Sequence, residues 1–178
     1  MSVWHNISKE RIKPDDFLAV IEIPKNSKNK YELDKESGML IMDRVLYTST
    51  HYPSNYGFIP KTYADDDDPL DVLVLCSEVI APLAMARCYP IGGVLMKDGG
   101  VTDYKIIAIP FKDPMWNSFY NITHIPTHIM NEIVHFFNVY KELEHKKTTV
   151  VETFDRMRAL DVIKEAIDAY AIKFEKIN

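Results

Sequence analysis

Apolar residues in the first two thirds of the chain form short runs separated by turn residues, which is typical of a protein built from many short strands. The pattern predicts strands over residues 17–23, 30–34, 39–47, 71–76, 85–97, 104–109 and 148–154. Turn signals at residues 36–38 (Glu-Ser-Gly) and 98–100 (Asp-Gly-Gly) separate two of the strand pairs. Many short strands with glycine and proline turns indicate a small closed barrel of the OB-like kind.

In the last third, the apolar spacing changes to that of helices. One stripe, which follows Pro126, consists of Ile129, Ile133, Phe136, Tyr140 and Leu143, and a second consists of Leu160, Ile163, Ile167, Ala171 and Phe174. We therefore expect a mainly β protein with some α, in which two C-terminal helices pack on the barrel. No stretch has the composition of a linker, so residues 1–178 are predicted to form a single domain.

Three charged residues occur on strand faces that are otherwise apolar. Because residues two apart in a strand share a face, Glu22 lies with Leu18 and Val20, Arg44 with Leu40, Met42 and Leu46, and Lys105 with Asp103, Ile107 and Ile109. Taken singly, each is explained by an outward face or by a structural ion pair. Taken together, they favour a barrel mouth in which carboxylates bind metals and basic groups bind phosphate oxygens.

The densest acidic stretch is Asp66-Asp67-Asp68-Pro69-Leu70-Asp71, directly followed by an apolar run of strand length. Two carboxylates about 5 Å apart repel each other by roughly 3 kcal/mol at an effective dielectric near 20. Hard divalent cations such as Mg2+ neutralise such clusters because they prefer carboxylate oxygens. The stretch therefore predicts metal-assisted chemistry on a phosphate substrate.

Composition argues against a nucleic-acid-binding, secreted or membrane-spanning protein. The chain has 178 residues, 47% of them apolar, and a net charge of −5, which argues against a nucleic-acid surface as the main role. The N-terminus lacks the apolar core of a secretion signal, and no apolar run is long enough to span a membrane. Cys76 and Cys88 lack metal-binding spacing and are interpreted as reduced thiols, so we expect a cytoplasmic protein.

Other kinds of site fit the sequence less well. An EF-hand starting at Asp66 would need Gly at position six and Glu at position twelve, where this chain has Asp71 and Ser77. An oligonucleotide-binding barrel has a similar architecture, but an acidic mouth repels phosphate backbones. His124 and His128 have zinc-like spacing without an evident third ligand. A metal-dependent hydrolase of larger phosphate esters or nucleotides remains the nearest alternative.

Several motifs together resemble the soluble inorganic pyrophosphatases of family I. The family signature D-x-D-P-x-D corresponds to residues 66–71, and Pro69 fixes the register within the four consecutive aspartates, which places Asp67 at the variable position. Six further matches follow the family order: Ile21-Glu22-Ile23-Pro24, Lys30-Tyr31-Glu32, Asp43-Arg44, Tyr52-Pro53-Ser54-Asn55-Tyr56-Gly57, Asp98 with Asp103 and Lys105, and Tyr140-Lys141. The similarity extends from about Asp16 to Leu143.

The resemblance implies hydrolysis of pyrophosphate to two phosphates with several Mg2+ ions, which other divalent cations can replace. It implies that Asp66, Asp71 and Asp103 bind the first metal, that Asp71 bridges to a second, and that Asp98, Asp103 and Glu22 support further ones. Asp68 is then the general base that takes a proton from the attacking water. Glu32 would act in the outer shell of ligands, and Tyr52 and Asn55 would support the site.

The same resemblance assigns the phosphate-binding groups and an assembly. Lys30, Arg44 and Tyr56 would hold the electrophilic phosphate, and Lys105, Tyr140 and Lys141 would hold the leaving one. Relatives of this length assemble as hexamers, which predicts a homohexamer with His135 in a subunit contact. A doubled apolar stripe, in which Met130, Val134 and Phe137 lie beside the first helical stripe, suggests more apolar surface than one face can bury.

Overall fold

A computed structural model describes residues 2–175. Its strands are β1 Phe17–Ile23, β2 Asn29–Leu33, β3 Leu40–Val45, β4 Asn55–Phe58, β5 Asp71–Val74, β6 Met85–Asp98, β7 Val101–Pro110 and β8 Thr148–Asp155. Its α-helices are α1 Val3–Asn6, α2 Thr127–Val139 and α3 Arg156–Phe174. No helix in this described part of the chain is long and apolar enough to cross a membrane.

Five strands close into a ring, as the strand pattern predicts. The order is β1-β4-β5-β7-β6, and β6 returns to pair with β1. Strand β6 is long enough to serve two partners, because residues 85–88 pair with β1 while residues 92–98 pair with β8. All of these pairings are antiparallel except β5 with β7, which is parallel and sets Asp71 opposite Lys105. Closure removes the exposed strand edges that an open sheet would have.

The hairpin of β2 and β3 lies outside this ring as a separate two-stranded sheet. Its apolar residues are largely exposed, with Ile41 at 55% and Met42 at 53%. The register also shifts between Lys30 and Tyr31, so alternation breaks near Asp43. Arg44 therefore lies on a hairpin outside the ring, because an apolar alternation shows that residues share a face but not what covers that face.

Strand β4 is not among the strands that the sequence predicts, although residues 52–57 form one of the family motifs. The four residues of β4 are buried, and the strand pairs with both β1 and β5. A side chain at Gly57 would place its Cβ 1.8 Å from the carbonyl oxygen of Val20. Glycine is thus required for the close approach of β1 and β4, which orients the adjacent Tyr56.

The two C-terminal helices pack on the barrel as predicted. Helix α2 buries Met130, Ile133, Phe136 and Phe137 against the barrel interior. The doubled stripe is thus covered largely within the chain, and it does not by itself indicate a further interface.

The buried face of α3 differs from the predicted stripe. It consists of Ala159, Val162, Ile163, Ala166 and Tyr170, while Phe174 is 41% exposed. Two of these five residues are alanines, and a stripe chosen mainly for large apolar side chains misses them.

Candidate active site

One cavity of about 320 Å³ lies where the barrel mouth, the β2–β3 hairpin and the end of α2 meet, a size typical of small-molecule pockets. All residues predicted for the site line it except Arg44, Tyr52 and Asn55. The predicted residues that line it are Glu22, Lys30, Glu32, Tyr56, Asp66, Asp68, Asp71, Asp98, Asp103, Lys105, Tyr140 and Lys141. Among residues 2–175, seven carboxylates and four lysines line this cavity, so negative charge is in excess.

The aspartate loop, which is the part of the β4–β5 connection that carries Asp66, Asp67 and Asp68, presents alternate side chains to the cavity. Its ends are held by a hydrogen bond from Ala64 N to Asp68 O of 2.8 Å, and Asp67 has a φ of 66°. Asp66 and Asp68 line the cavity, whereas the side chain of Asp67 accepts a hydrogen bond from the Tyr63 hydroxyl. Asp67, at the variable position of the motif, therefore contacts Tyr63 and does not line the cavity.

Lys105 is the centre of the buried charge network. Its Nζ lies 2.6 Å from Asp71 Oδ2, 3.0 Å from Asp103 Oδ2 and 3.0 Å from the Tyr56 hydroxyl. The Tyr56 hydroxyl in turn donates to Asp71 Oδ2 at 2.6 Å. Burial alone would lower the pKa of Lys105, but Asp103 and Asp71 raise it well above its ordinary value. Lys105 is therefore a fixed cation on the floor of the cavity.

Burial and neighbouring negative charge together raise the pKa values of three carboxyl groups in the cavity. Burial, followed by the charge of Asp71, raises the pKa of Glu22 to about 8. Burial, followed by Asp71 and Asp103, raises the pKa of Asp66 to about 6. Burial also raises the pKa of Asp103, against the opposing effect of Lys105. Burial is thus the largest cause for all three carboxyl groups, and the charge of neighbouring carboxylates adds to it.

The other three lysines of the cavity are paired with carboxylates at its rim. Lys141 forms an ion pair with Asp98, and Lys30 pairs with Glu32. Lys35, which sequence reasoning did not single out, forms an ion pair with Asp68.

The three predicted residues outside the cavity have other contacts. Arg44 Nε lies 2.9 Å from Glu144 Oε1, and Arg44 also pairs with Asp43, which lies 3.4 Å from Lys30 Nζ. Tyr52 is fully buried, with its ring centroid 5.3 Å from that of Tyr56. Asn55 is buried and bonds only backbone groups of Lys25, Glu78 and Ile80 in the described part of the chain. Tyr52 and Asn55 therefore support the fold around the cavity. Arg44 lies outside the cavity, where Asp43 connects it to Lys30.

Six residues that line the cavity were not predicted as site residues, namely Trp4, Tyr31, Leu33, Lys35, Phe58 and Pro69. Lys35 is one of many lysines and carries no local signal. Ser2 accepts a hydrogen bond from Trp4 N as an N-cap, and this serine before an apolar pair is a start signal for the short helix α1.

The donor set fits a hard divalent cation. No three His, Cys, Asp or Glu side chains within residues 2–175 stand together as a ready-made metal group. The cavity nevertheless offers oxygen donors in excess of its ammonium groups, and burial first and neighbouring carboxylates second raise the pKa values of Glu22 and Asp66. Oxygen donors of this kind are the ligands that Mg2+ prefers.

Known proteins resemble this chain in sequence and in fold. A family model described as inorganic pyrophosphatase matches residues 19–171. The chain belongs to the inorganic pyrophosphatase family. It is 44% identical over 167 residues to soluble inorganic pyrophosphatase 2 of Chlamydomonas reinhardtii. The aligned residues cover 94% of this chain and 87% of that protein. The family match continues beyond Leu143, where the sequence motifs end, and includes most of α3.

Two further relatives agree. Inorganic pyrophosphatase of Aquifex pyrophilus is 46% identical over 160 residues, covering 88% of this chain and 90% of that protein. The solved inorganic pyrophosphatase of Helicobacter pylori superposes with a TM-score of 0.86 at 40% identity, covering 89% of this chain and 95% of that chain. The predicted fold class and the predicted family are both confirmed.

Proposed function

We propose that this chain hydrolyses inorganic pyrophosphate to two orthophosphates with the help of Mg2+. The single observation that carries the proposal is the convergence of seven carboxylates and four lysines, counted within residues 2–175, on one small cavity. Phe58 and Trp4 also line it but are only 1% and 4% exposed, so its accessible groups are mainly charged or hydroxyl groups. Such a wall suits a small anion without an organic part.

Each carboxylate has a proposed role. Bound cations would neutralise phosphate charge and lower the pKa of a bound water. Asp66, Asp71 and Asp103 would hold the first cation, Asp71 would share a second, and Asp98, Asp103, Glu22 and Glu32 would support others directly or through water. The number of these carboxylates exceeds what the lysines can neutralise, which supports several cations over one.

Asp68 would act as the base. Its carboxylate takes a proton from a water whose oxygen forms the new bond to phosphorus, while the bond from that phosphorus to the bridging oxygen breaks. Lys30, Tyr56 and Arg44 would hold the attacked phosphate. Lys105, Tyr140 and Lys141 would stabilise the charge on the departing one. Positioning and charge neutralisation supply most of the acceleration in such reactions.

The assembly and location are also proposals. We infer a cytoplasmic homohexamer of single-domain chains over residues 1–178, on the basis of the family resemblance. His135 is exposed on α2 and lines a second groove with Trp116 and Ile129, away from the acidic cavity. This groove is available for a subunit contact.

The test is phosphate release from pyrophosphate with and without Mg2+. We expect hydrolysis that is lost on chelation and restored when Mg2+ is added back, with ATP a much poorer substrate. A rate on ATP equal to that on pyrophosphate would instead favour a hydrolase of larger phosphate compounds. Hydrolysis of neither would remove the proposal.

A further inference from the structure

The N-terminal helix α1 is tied to the loop that carries the aspartates, although it lies outside residues 19–171 that the family model matches. The carbonyl of Trp4 accepts a hydrogen bond from Lys61 N at 3.1 Å. The indole Nε1 of Trp4 donates to the carbonyl of Thr62 at 2.9 Å. Trp4 is 4% exposed, so these contacts are shielded from water. One residue of α1 therefore holds two consecutive residues at the start of the loop.

Thr62 connects the start of this loop to its end. Its fully buried hydroxyl accepts a hydrogen bond from Leu70 N at 2.8 Å and donates to the Ile59 carbonyl at 2.5 Å. The segment between Thr62 and Leu70 carries Asp66 and Asp68. Contacts of Trp4 with Thr62 therefore help to fix the position of both aspartates.

Lys35 joins the same group from the turn after β2. Its Nζ forms an ion pair with Asp68 Oδ1 and lies 5.3 Å from the centroid of the Trp4 ring. Both charged side chains are about half exposed, at 52% and 51%, and an exposed ion pair alone contributes little because each side chain moves freely. The aromatic face under Lys35 restricts the ammonium to one side of the ring. Lys35 thus contacts both Trp4 and Asp68, which are distant from it and from each other in sequence.

We infer that Lys35 is a positioning residue for Asp68 and that Trp4 is the platform that holds both Lys35 and the aspartate loop. The inference rests on the proposed function, in which Asp68 takes a proton from water. A base acts efficiently only when it is held at hydrogen-bond distance from that proton. Lys35 fixes the carboxylate through its charge, and Trp4 fixes the backbone that carries the carboxylate.

Kinetics separate positioning from substrate binding. Lys35→Met should lower kcat for pyrophosphate about 10-fold or more while KM stays within about 2-fold, because a displaced base slows the chemical step. Lys35→Arg keeps the charge and should restore most of the rate. Lys164→Met is the matched control, since Lys164 pairs with Asp168 at 2.8 Å on an exposed face of α3. This control should behave as the wild type in both kinetics and melting temperature.

Fluorescence tests the geometry without substrate or metal. The chain has two tryptophans, so Trp116→Phe leaves Trp4 as the single one. In this background and in the presence of chelator, Lys35→Met should shift the Trp4 emission to longer wavelength and increase its quenching by acrylamide. Lys164→Met should do neither. Trp4→Phe, which keeps a ring but removes the N–H donor to Thr62, should also lower kcat, and its melting temperature checks the fold.

The outcomes are distinguishable. A wild-type protein that hydrolyses no pyrophosphate overturns the proposed function, while the fluorescence shift still reports the contact of Lys35 with Trp4. An active wild type in which Lys35→Met raises KM and leaves kcat unchanged overturns the inference, because Lys35 would then contact the substrate. Equal behaviour of Lys35→Met and Lys164→Met in kinetics and fluorescence also overturns it.

Discussion

Lys105 Nζ lies 2.6 Å from Asp71 Oδ2, and the parallel pairing of β5 with β7 sets the two residues directly opposite each other. The distance is therefore a consequence of strand register. The Lys105 side chain is 3% exposed and that of Asp71 is 22% exposed, so the carboxylate faces the cavity while the ammonium lies behind it. A cation on the cavity side would bind Asp71 without displacing Lys105 from the barrel.

Replacement of Lys105 tests this arrangement. Lys105→Met leaves Asp71 and Asp103 without their ammonium partner, and we expect a loss of about 3 kcal/mol of unfolding free energy, since breaking a buried pair is costly. Mg2+ should raise the melting temperature of this variant more than that of the wild type, because the cation restores the missing positive charge. Lys97→Met, at an exposed position of β6, is the control. Equal effects of Mg2+ on both variants would contradict the network.

Glu22 predicts a dependence of stability on pH. Its pKa is about 8 in the folded protein, raised by burial and then by Asp71, against 4.5 for the ordinary carboxyl. Between these values the folded state holds a proton that the unfolded state has lost, so unfolding free energy falls as pH rises, by at most about 1.4 kcal/mol per pH unit.

The measurement is urea unfolding in chelator across this range, comparing wild type with Glu22→Gln. The variant cannot ionise and should show a flatter decline, whereas Glu78→Gln, at an exposed position, should follow the wild type. Parallel curves for wild type and Glu22→Gln would exclude Glu22 as the source.

Replacement of Asp71 should change the Mg2+ requirement, whereas replacement of Asp68 should change kcat. Asp71→Asn removes a proposed ligand, and we expect the Mg2+ concentration for half-maximal rate to rise about 10-fold or more. Asp68→Asn should leave that concentration within about 3-fold while lowering kcat by about 100-fold or more, since it removes the base. Mg2+ titrations of phosphate release, with calorimetry of Mg2+ binding, measure both. An unchanged rate in either variant would refute its assigned role.

Much of the site could be predicted because the chemistry of the side chains and the alternation of strand faces are local properties of the sequence. Alternation in β7 places Lys105 on the interior face with Ile107 and Ile109, and the structure buries all three. The aspartate loop precedes an apolar strand, so its carboxylates had to lie at a barrel mouth. The family motifs supplied the pairing of distant segments that periodicity cannot give.

The remaining features depend on contacts between distant segments. Apolar residues do alternate around Arg44 in the sequence. Whether a sheet or solvent covers their face depends on where the separate β2–β3 hairpin lies. Likewise, Trp4 gains its place in the cavity from Lys61 and Thr62, which are far along the chain. Strand β4 was not predicted because it has only four residues, one of them Gly57, and it is stabilised by pairing with β1 and β5 on both sides.

The proposed hexamer predicts a mass in solution. Light scattering after size exclusion should give about six times the 20.6 kDa chain. His135→Glu would put a negative charge beside Glu132 in the second groove and should shift the protein toward smaller species without changing the acidic cavity. His145→Glu, on the turn after α2, is the control. A wild-type protein that is monomeric at all concentrations would refute the assembly.

Gly57 connects the fold to the site and gives the sharpest structural prediction. Gly57→Ala would force its Cβ against the Val20 carbonyl at 1.8 Å, and only separation of β1 from β4 relieves that overlap. Separation would displace Tyr56 from Asp71 and break part of the barrel, so we expect a loss of several kcal/mol and of most activity. Gly99→Ala meets no atom within 4 Å and has a φ of 57°, so it should cost only about 1 kcal/mol. Urea unfolding measures both, and equal losses would mean that the close approach of β1 and β4 does not stabilise the barrel.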